Sequence, residues 1–174
     1  MKKSSDATAT GSAQESRPEP EPVDQKKQLH DLVAQEPFFA GMKAAHLQHI
    51  GNCAMRTHFD TGKLIFQKGD PANRFYVILK GGVALEAVDK QGKIHRVQHL
   101  GPHDILGWSW LFPPYYWNFD AVAMQPTDAV FFYGTRLREE CAKDQDFGYA
   151  LMTRFTQILI TRLQATRQQW IEGK

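Results

Sequence analysis

Gln67-Lys68-Gly69-Asp70-Pro71-Ala72, followed shortly by Phe75-Tyr76-Val77-Ile78-Leu79-Lys80-Gly81-Gly82-Val83, decides how this chain folds. Two turns bracket one apolar run. Gly69 and Gly81 suit backbone with positive φ, which residues carrying a Cβ resist. Asp70 can accept a hydrogen bond from the backbone just beyond it, and Pro71 pre-sets the next turn. An apolar run bounded in this way reads as a strand. The same grammar repeats outward. Strands are predicted over Leu64–Phe66, Phe75–Leu79, Val83–Val88, Ile94–Leu100 and Ala129–Tyr133, and Lys90-Gln91-Gly92 and Gly101-Pro102 supply further turns. Short strands at this spacing imply a sandwich or barrel.

Helices are expected on both sides. Gln25–Ala34 carries a short apolar stripe of Leu29, Leu32 and Val33, and Pro37 ends or bends that element. Ala44–Met55 places Leu47, Ile50 and Ala54 at helical spacing. Thr135 is the expected cap of a helix running to Ala142. Phe147–Ile171 then reads as one long helix with Met152, Phe155, Leu159, Leu163 and Trp170 near one face. Residues 1–24, with Arg17-Pro18-Glu19-Pro20-Glu21-Pro22, read as a disordered tail. The expected fold is mainly β with flanking helices: a double-stranded β-helix, a jelly-roll-like β-roll, with short N-terminal helices and a long C-terminal helix. Residues 25–145 form the roll with its N-terminal helices, and residues 146–174 the C-terminal helix.

Composition narrows the function classes. At 174 residues, with 42% hydrophobic and 11% aromatic content, the chain suits one domain with a real core. A net charge of +2 lacks the basic excess of a dedicated nucleic-acid binder. Cys53 and Cys141 are too few and too far apart for a disulfide framework, a zinc site or an iron–sulfur cluster. No apolar h-region follows Met1-Lys2-Lys3, and no run approaches the roughly 20 residues of a membrane span, so a cytoplasmic protein is expected. His46 and His49 lie one helical turn apart and read as a surface pair. His95, His99 and His103 spread over a strand and turn, and no metal is expected at either group. No nucleophile elbow, P-loop or zincin motif is present, so the chain is expected to be non-catalytic.

The ordered turns give the chain a family resemblance. Phe59-Asp60-Thr61-Gly62-Lys63-Leu64-Ile65-Phe66, the Gly69-Asp70 and Gly81-Gly82 turns, and Leu100-Gly101-Pro102-His103-Asp104-Ile105-Leu106-Gly107 resemble the cyclic-nucleotide-binding domain of the catabolite activator (Crp/Fnr) family. The likeness runs over about residues 40 to 171. It implies a phosphate-binding cassette after Gly107, in which helix-terminal amides hold the cyclic phosphate. It also implies a Glu directly after the Gly for the ribose and an Arg some ten residues later for the phosphate.

The cassette itself departs from that pattern. It reads Leu106-Gly107-Trp108-Ser109-Trp110-Leu111-Phe112-Pro113-Pro114-Tyr115-Tyr116-Trp117-Asn118-Phe119-Asp120-Ala121. Trp108 stands at the Glu position, and an indole cannot accept a hydrogen bond. Trp117 falls at the Arg position, and no Arg or Lys occurs from Gly107 to Gln125. Each hydrogen bond to a charged group contributes roughly 1.5–3 kcal/mol. Losing both therefore removes two to four decades of affinity, about 3–6 kcal/mol. This argues against cyclic AMP binding in the family's mode, unless a basic residue such as Arg96 rescues the phosphate. The candidate pocket comprises Leu106, Gly107, Trp108, Ser109, Trp117, Asn118, Phe119, Asp120 and Ala121. The aromatics either line an altered pocket for a small molecule or fill the old one.

In the family the long helix forms a dimer seam and relays ligand state. Homodimerisation through Phe155, Leu159 and Leu163 is expected here, the alternative being that the helix simply packs on its own roll. The chain stops at Lys174, leaving no room for a helix-turn-helix, so direct DNA binding is not expected. The sequence thus predicts a regulatory sensor module that binds a small ligand and signals through its C-terminal helix to a separate protein. The alternatives are a ligand-free interaction module, or a cyclic-nucleotide-dependent regulator of transcription without its own DNA-binding domain.

Overall fold

The computed structural model describes residues 22–173. Its helices are α1 (Pro22–Gln35), α2 (Ala44–Asn52), α3 (Gly134–Lys143) and α4 (Gln145–Ile171), with a single 3-10 turn at Pro37–Phe39. Its strands are β1 (Ala54–Phe59), β2 (Leu64–Phe66), β3 (Arg74–Lys80), β4 (Val83–Val88), β5 (Ile94–Leu100), β6 (Ile105–Leu106), β7 (Asp120–Ala123) and β8 (Thr127–Tyr133). They form two four-stranded antiparallel sheets, in the orders β1-β8-β3-β6 and β2-β7-β4-β5. This is the expected β-roll with flanking helices and a long C-terminal helix.

β3 explains the continuous apolar run that marked it, because both of its faces are buried. Tyr76 and Ile78 point between the sheets, with Val83, Leu85, Leu100, Leu106 and Ala129. Phe75 and Val77 point the other way, into a second core built with the helices. β8 alternates likewise, sending Val130 and Phe132 to the helical layer and Ala129 and Phe131 inward. The helical layer brings Val33, Phe39, Ile50, Leu137, Phe147, Leu151 and Phe155 onto that outer face.

The turns behave as their chemistry demands. Gly69 and Gly81 take φ of +90° and +92°. A Cβ on Gly81 would sit 2.5 Å from the Pro126 carbonyl oxygen, so both conformation and space exclude other residues there. The buried Thr127 hydroxyl locks this turn, accepting from the Gly82 N–H at 3.2 Å and donating to the Gln125 carbonyl at 2.8 Å.

Several boundaries differ from the sequence expectation. Pro22 to Asp24, assigned to the tail, open α1, and residues 1–21 lie outside the described residues. α2 ends at Asn52, and Ala54 and Met55 already belong to β1. Thr135 is not a cap: α3 starts at Gly134, against the Trp110 ring, and its first position receives no side-chain hydrogen bond. The cap that does form is Asp144, whose carboxylate accepts from the Phe147 N–H at 3.0 Å to begin α4. His46 is buried rather than on the surface, with its Nε2 3.3 Å from the Asp144 carboxylate.

Candidate functional site

The Gly69-Asp70-Pro71-Ala72 turn does more than reverse the chain. Its main chain pairs with the far end of the cassette loop. Gly69 N donates to Trp117 O at 2.9 Å, Trp117 N to Asp70 O at 3.0 Å, and Ala72 N to Tyr115 O at 2.7 Å. The Asp120 carboxylate accepts from Lys68 N at 2.6 Å. Together these bonds hold Trp117 in one place.

That place is the mouth of the cassette. The indole stacks on Phe66 with ring centroids 3.9 Å apart and planes 12° apart. Its other edge lies against Gly107, where φ is +86° and an added Cβ would meet the ring at 2.8 Å. Trp117 is only 5% exposed. The space left is a cavity of about 20 Å³ bounded by Phe66, Leu85, Gly107, Trp108, Ser109, Trp117, Asn118, Phe119 and Arg162. That is room for about one water molecule.

Six of the residues read from the sequence therefore meet at one cavity: Gly107, Trp108, Ser109, Trp117, Asn118 and Phe119. Asn118 Nδ2 donates to Ser109 Oγ at 3.2 Å, tying the two ends of the loop together. Leu106 and Ala121 are buried between the sheets and do not line the cavity, and Asp120 is spent on the Lys68 amide. Arg96 does not reach the site. It is exposed on β5 and its Nε lies 3.2 Å from Glu86. Phe155 is fully buried against Phe38, Phe75 and Trp110, so it belongs to the protein's own core and not to a dimer seam. Leu159 is half-buried, and Leu163 is 51% exposed.

Three lining residues were missed in the sequence: Phe66, Leu85 and Arg162. Phe66 and Leu85 carry a readable signal, since both are inward positions of predicted strands. Arg162 carried none within the cassette, because it arrives from α4 and donates to the Ile105 carbonyl.

The loop is also tied to the helices. Trp110 is fully buried between Phe75 and Phe155, with ring centroids at 5.3 and 5.6 Å. Arg138 of α3 donates to the Trp110 carbonyl and lies 4.4 Å from the Tyr115 ring centre. A cation over an aromatic face is attracted by the ring's negative quadrupole.

Comparison with known proteins agrees with this fold. The family model described as the cyclic nucleotide-binding domain matches residues 56–144. A CRP-like cAMP-activated global transcriptional regulator of Mycobacterium tuberculosis (strain CDC 1551 / Oshkosh) is 23% identical over 86 residues, which is 49% of this chain and only 38% of the relative's length. Among solved structures, a candidate cyclic nucleotide-binding protein from Geobacter metallireducens GS-15 is 29% identical with a TM-score of 0.69, over 76% of this chain and 96% of that one. A cyclic nucleotide-binding domain from Methylobacillus flagellatus KT has the same fold at 16% identity, with a TM-score of 0.71 over 87% of this chain and 85% of that one.

Proposed function

The chain belongs to the cyclic nucleotide-binding domain family, and from that premise we propose that it is a non-catalytic regulatory module whose cassette is closed to cyclic nucleotides in the family's usual mode. Its output runs through the C-terminal segment, residues 146–174, most of which is α4, acting as hinge and homodimer seam toward a separate protein partner. The observation that carries this reading is Trp117. The indole occupies the cassette mouth between Phe66 and Gly107 and leaves about 20 Å³. Small-molecule sites enclose roughly 300–1,000 Å³. Trp108 offers no acceptor to a ribose hydroxyl, and Arg96 is engaged with Glu86 and does not line the cavity.

The link to output rests on two contacts. Trp110 of the cassette packs on Phe155 of α4, and Arg162 of α4 bonds the Ile105 carbonyl at the start of the cassette. A displacement of the loop therefore acts on the helix directly. A ligand-free interaction module is the second reading, favoured by the same closure.

The test is thermal unfolding with cyclic AMP and cyclic GMP. A native-state ligand at one hundred times its Kd stabilises by about 2.7 kcal/mol. The wild-type chain is expected to show no saturable shift with either nucleotide. Trp108→Glu combined with Trp117→Arg is expected to gain one with cyclic AMP. Saturable stabilisation of the wild type by cyclic AMP would overturn the closed-cassette reading whatever the double variant does.

A further inference from the structure

Outside the cassette, α4 crosses the end of β5 and β6 and leaves a groove of about 690 Å³ against Phe38 and the 3-10 turn. Arg162 stands at the junction, lining both this groove and the small cassette cavity. One of its N–H groups donates to the Ile105 carbonyl. Among the described residues no ion pair includes Arg162. Burial holds its guanidinium below the usual arginine range, and Asp104, acting through space, offsets this only in part. The Asp104 carboxylate itself accepts from Gly101 N at 2.8 Å. Two of the three other basic side chains of the groove, Arg154 and His103, are occupied, and the third is His99 on β5. Arg154 donates to the carbonyls of Phe38, Ala40 and Ala150, and His103 is 3.0 Å from the Glu36 carboxylate.

A partly buried guanidinium that Asp104 offsets only through space, with no ion pair of its own, is costly to keep, and an oxyanion would complete it. Its five N–H donors in a planar fork match a carboxylate or phosphate. The groove has the volume of a small-molecule site, with Ile158 as apolar wall and Gln98, Gln157 and Thr161 as polar groups along it. We infer that this groove binds a small organic anion, whose carboxylate or phosphate pairs with Arg162. This deepens the regulatory reading and rests on it for the consequence: an anion on Arg162 competes with the Ile105 carbonyl and so shifts α4 against β6.

The experiment uses the full chain at low ionic strength, where charge pairing is least screened. Titration calorimetry compares benzoate, 5′-AMP and uncharged adenosine. At least one of the two anions is expected to bind saturably and adenosine not at all. Benzoate and 5′-AMP separate the carboxylate from the phosphate source. Arg162→Met should weaken the anion at least tenfold, roughly the loss of one charge-assisted bond. Arg162→Lys, which keeps the charge but not the fork, should weaken it less, and it serves if the Met variant fails to fold. Arg167→Met, on the exposed side of the same helix, should change nothing. The inference fails if neither anion binds at up to about 10 mM, the weak end of specific affinity. It also fails if binding is unaltered in both Arg162 variants. Either result leaves the cyclic AMP test standing, and a wild-type response to cyclic AMP sinks the closed cassette without touching the Arg162 comparison.

Discussion

Trp117 is a plug made of a single side chain, so its removal has a readable consequence. The indole is stacked on Phe66 and nearly fully buried. The main-chain bonds at Gly69 and Asp70 do not depend on the side chain and will hold the loop while the ring is gone. Trp117→Ala should therefore leave a cavity instead of a collapse, at a cost of about 3–5 kcal/mol. The vacated slot between Phe66 and Gly107 has the outline of the lost ring and accepts a flat apolar guest of that shape. Indole at about 1 mM should recover part of the lost stability, because it binds only the native state. Denaturant midpoints with and without indole measure both effects, and a variant indifferent to indole would show that the site had collapsed. The plug was legible as a residue out of place, since Trp117 and Trp108 stand where a base and an acid are expected. What filled the pocket could not be read, because two aromatics at such positions are compatible with a wall or a stopper. Arg162 was illegible for a different reason. It is 57 positions from Ile105, and only the packing angle of α4 brings the two together.

At the scale of elements, the strands that were legible are those with a strong pattern: β3, buried on both faces, and β4, entered through the Gly81 turn. β1, β6 and β7 escaped. β6 has two residues, β7 is Asp-Ala-Val-Ala, and β1 buries only Ala54 while Met55, Arg56 and His58 stay outside. Such strands exist because a neighbour pairs with them and not because of their own alternation. α4 shows the opposite case, a helix with two stripes. Phe147, Leu151, Phe155, Ile158 and Arg162 face the protein. Tyr149, Met152, Thr156, Leu159, Leu163, Thr166 and Trp170 follow steps of three and four, the spacing of a coiled-coil seam. Four of them, Tyr149, Met152, Leu163 and Trp170, are 75%, 48%, 51% and 84% exposed. Isolated exposed apolar residues need no explanation, but a stripe over most of a 27-residue helix fits a second copy of the chain. Sedimentation should therefore find a dimer. Leu163→Glu and Met152→Glu should each shift it toward monomer with the melting temperature of the monomer unit little changed. A wild type that stays monomeric across the concentration range would remove the seam, and with it the proposed route of output.

At the scale of the molecule, the two cores share β3 and β8, and the question is whether roll and helix are separable. One core lies between the sheets; the other lies between the outer sheet and the helices. Phe75 of β3 stacks on Phe132 of β8 at 4.6 Å and meets Phe155 of α4 edge-on at 5.2 Å. Trp110 of the cassette closes the same cluster. Removing α4 would expose the outer faces of β3 and β8 together with the cassette anchor, and since those two strands also wall the core between the sheets, the loss reaches both cores. Roll and helix should therefore unfold as one cooperative unit, the condition for loop movements at the cassette to be felt along α4. Phe155→Ala tests this, because it deletes the shared contact without touching the cassette cavity. It should cost about 3–5 kcal/mol. In a Trp170→Phe background, which removes the exposed tryptophan of α4, tryptophan fluorescence and the helical far-UV signal should still fall in one transition. If the helical signal were lost first while the tryptophans stayed native, α4 would be an appendage, and contact between Trp110 and Phe155 would carry no signal. Coincident transitions at a lowered midpoint are the outcome that this packing requires.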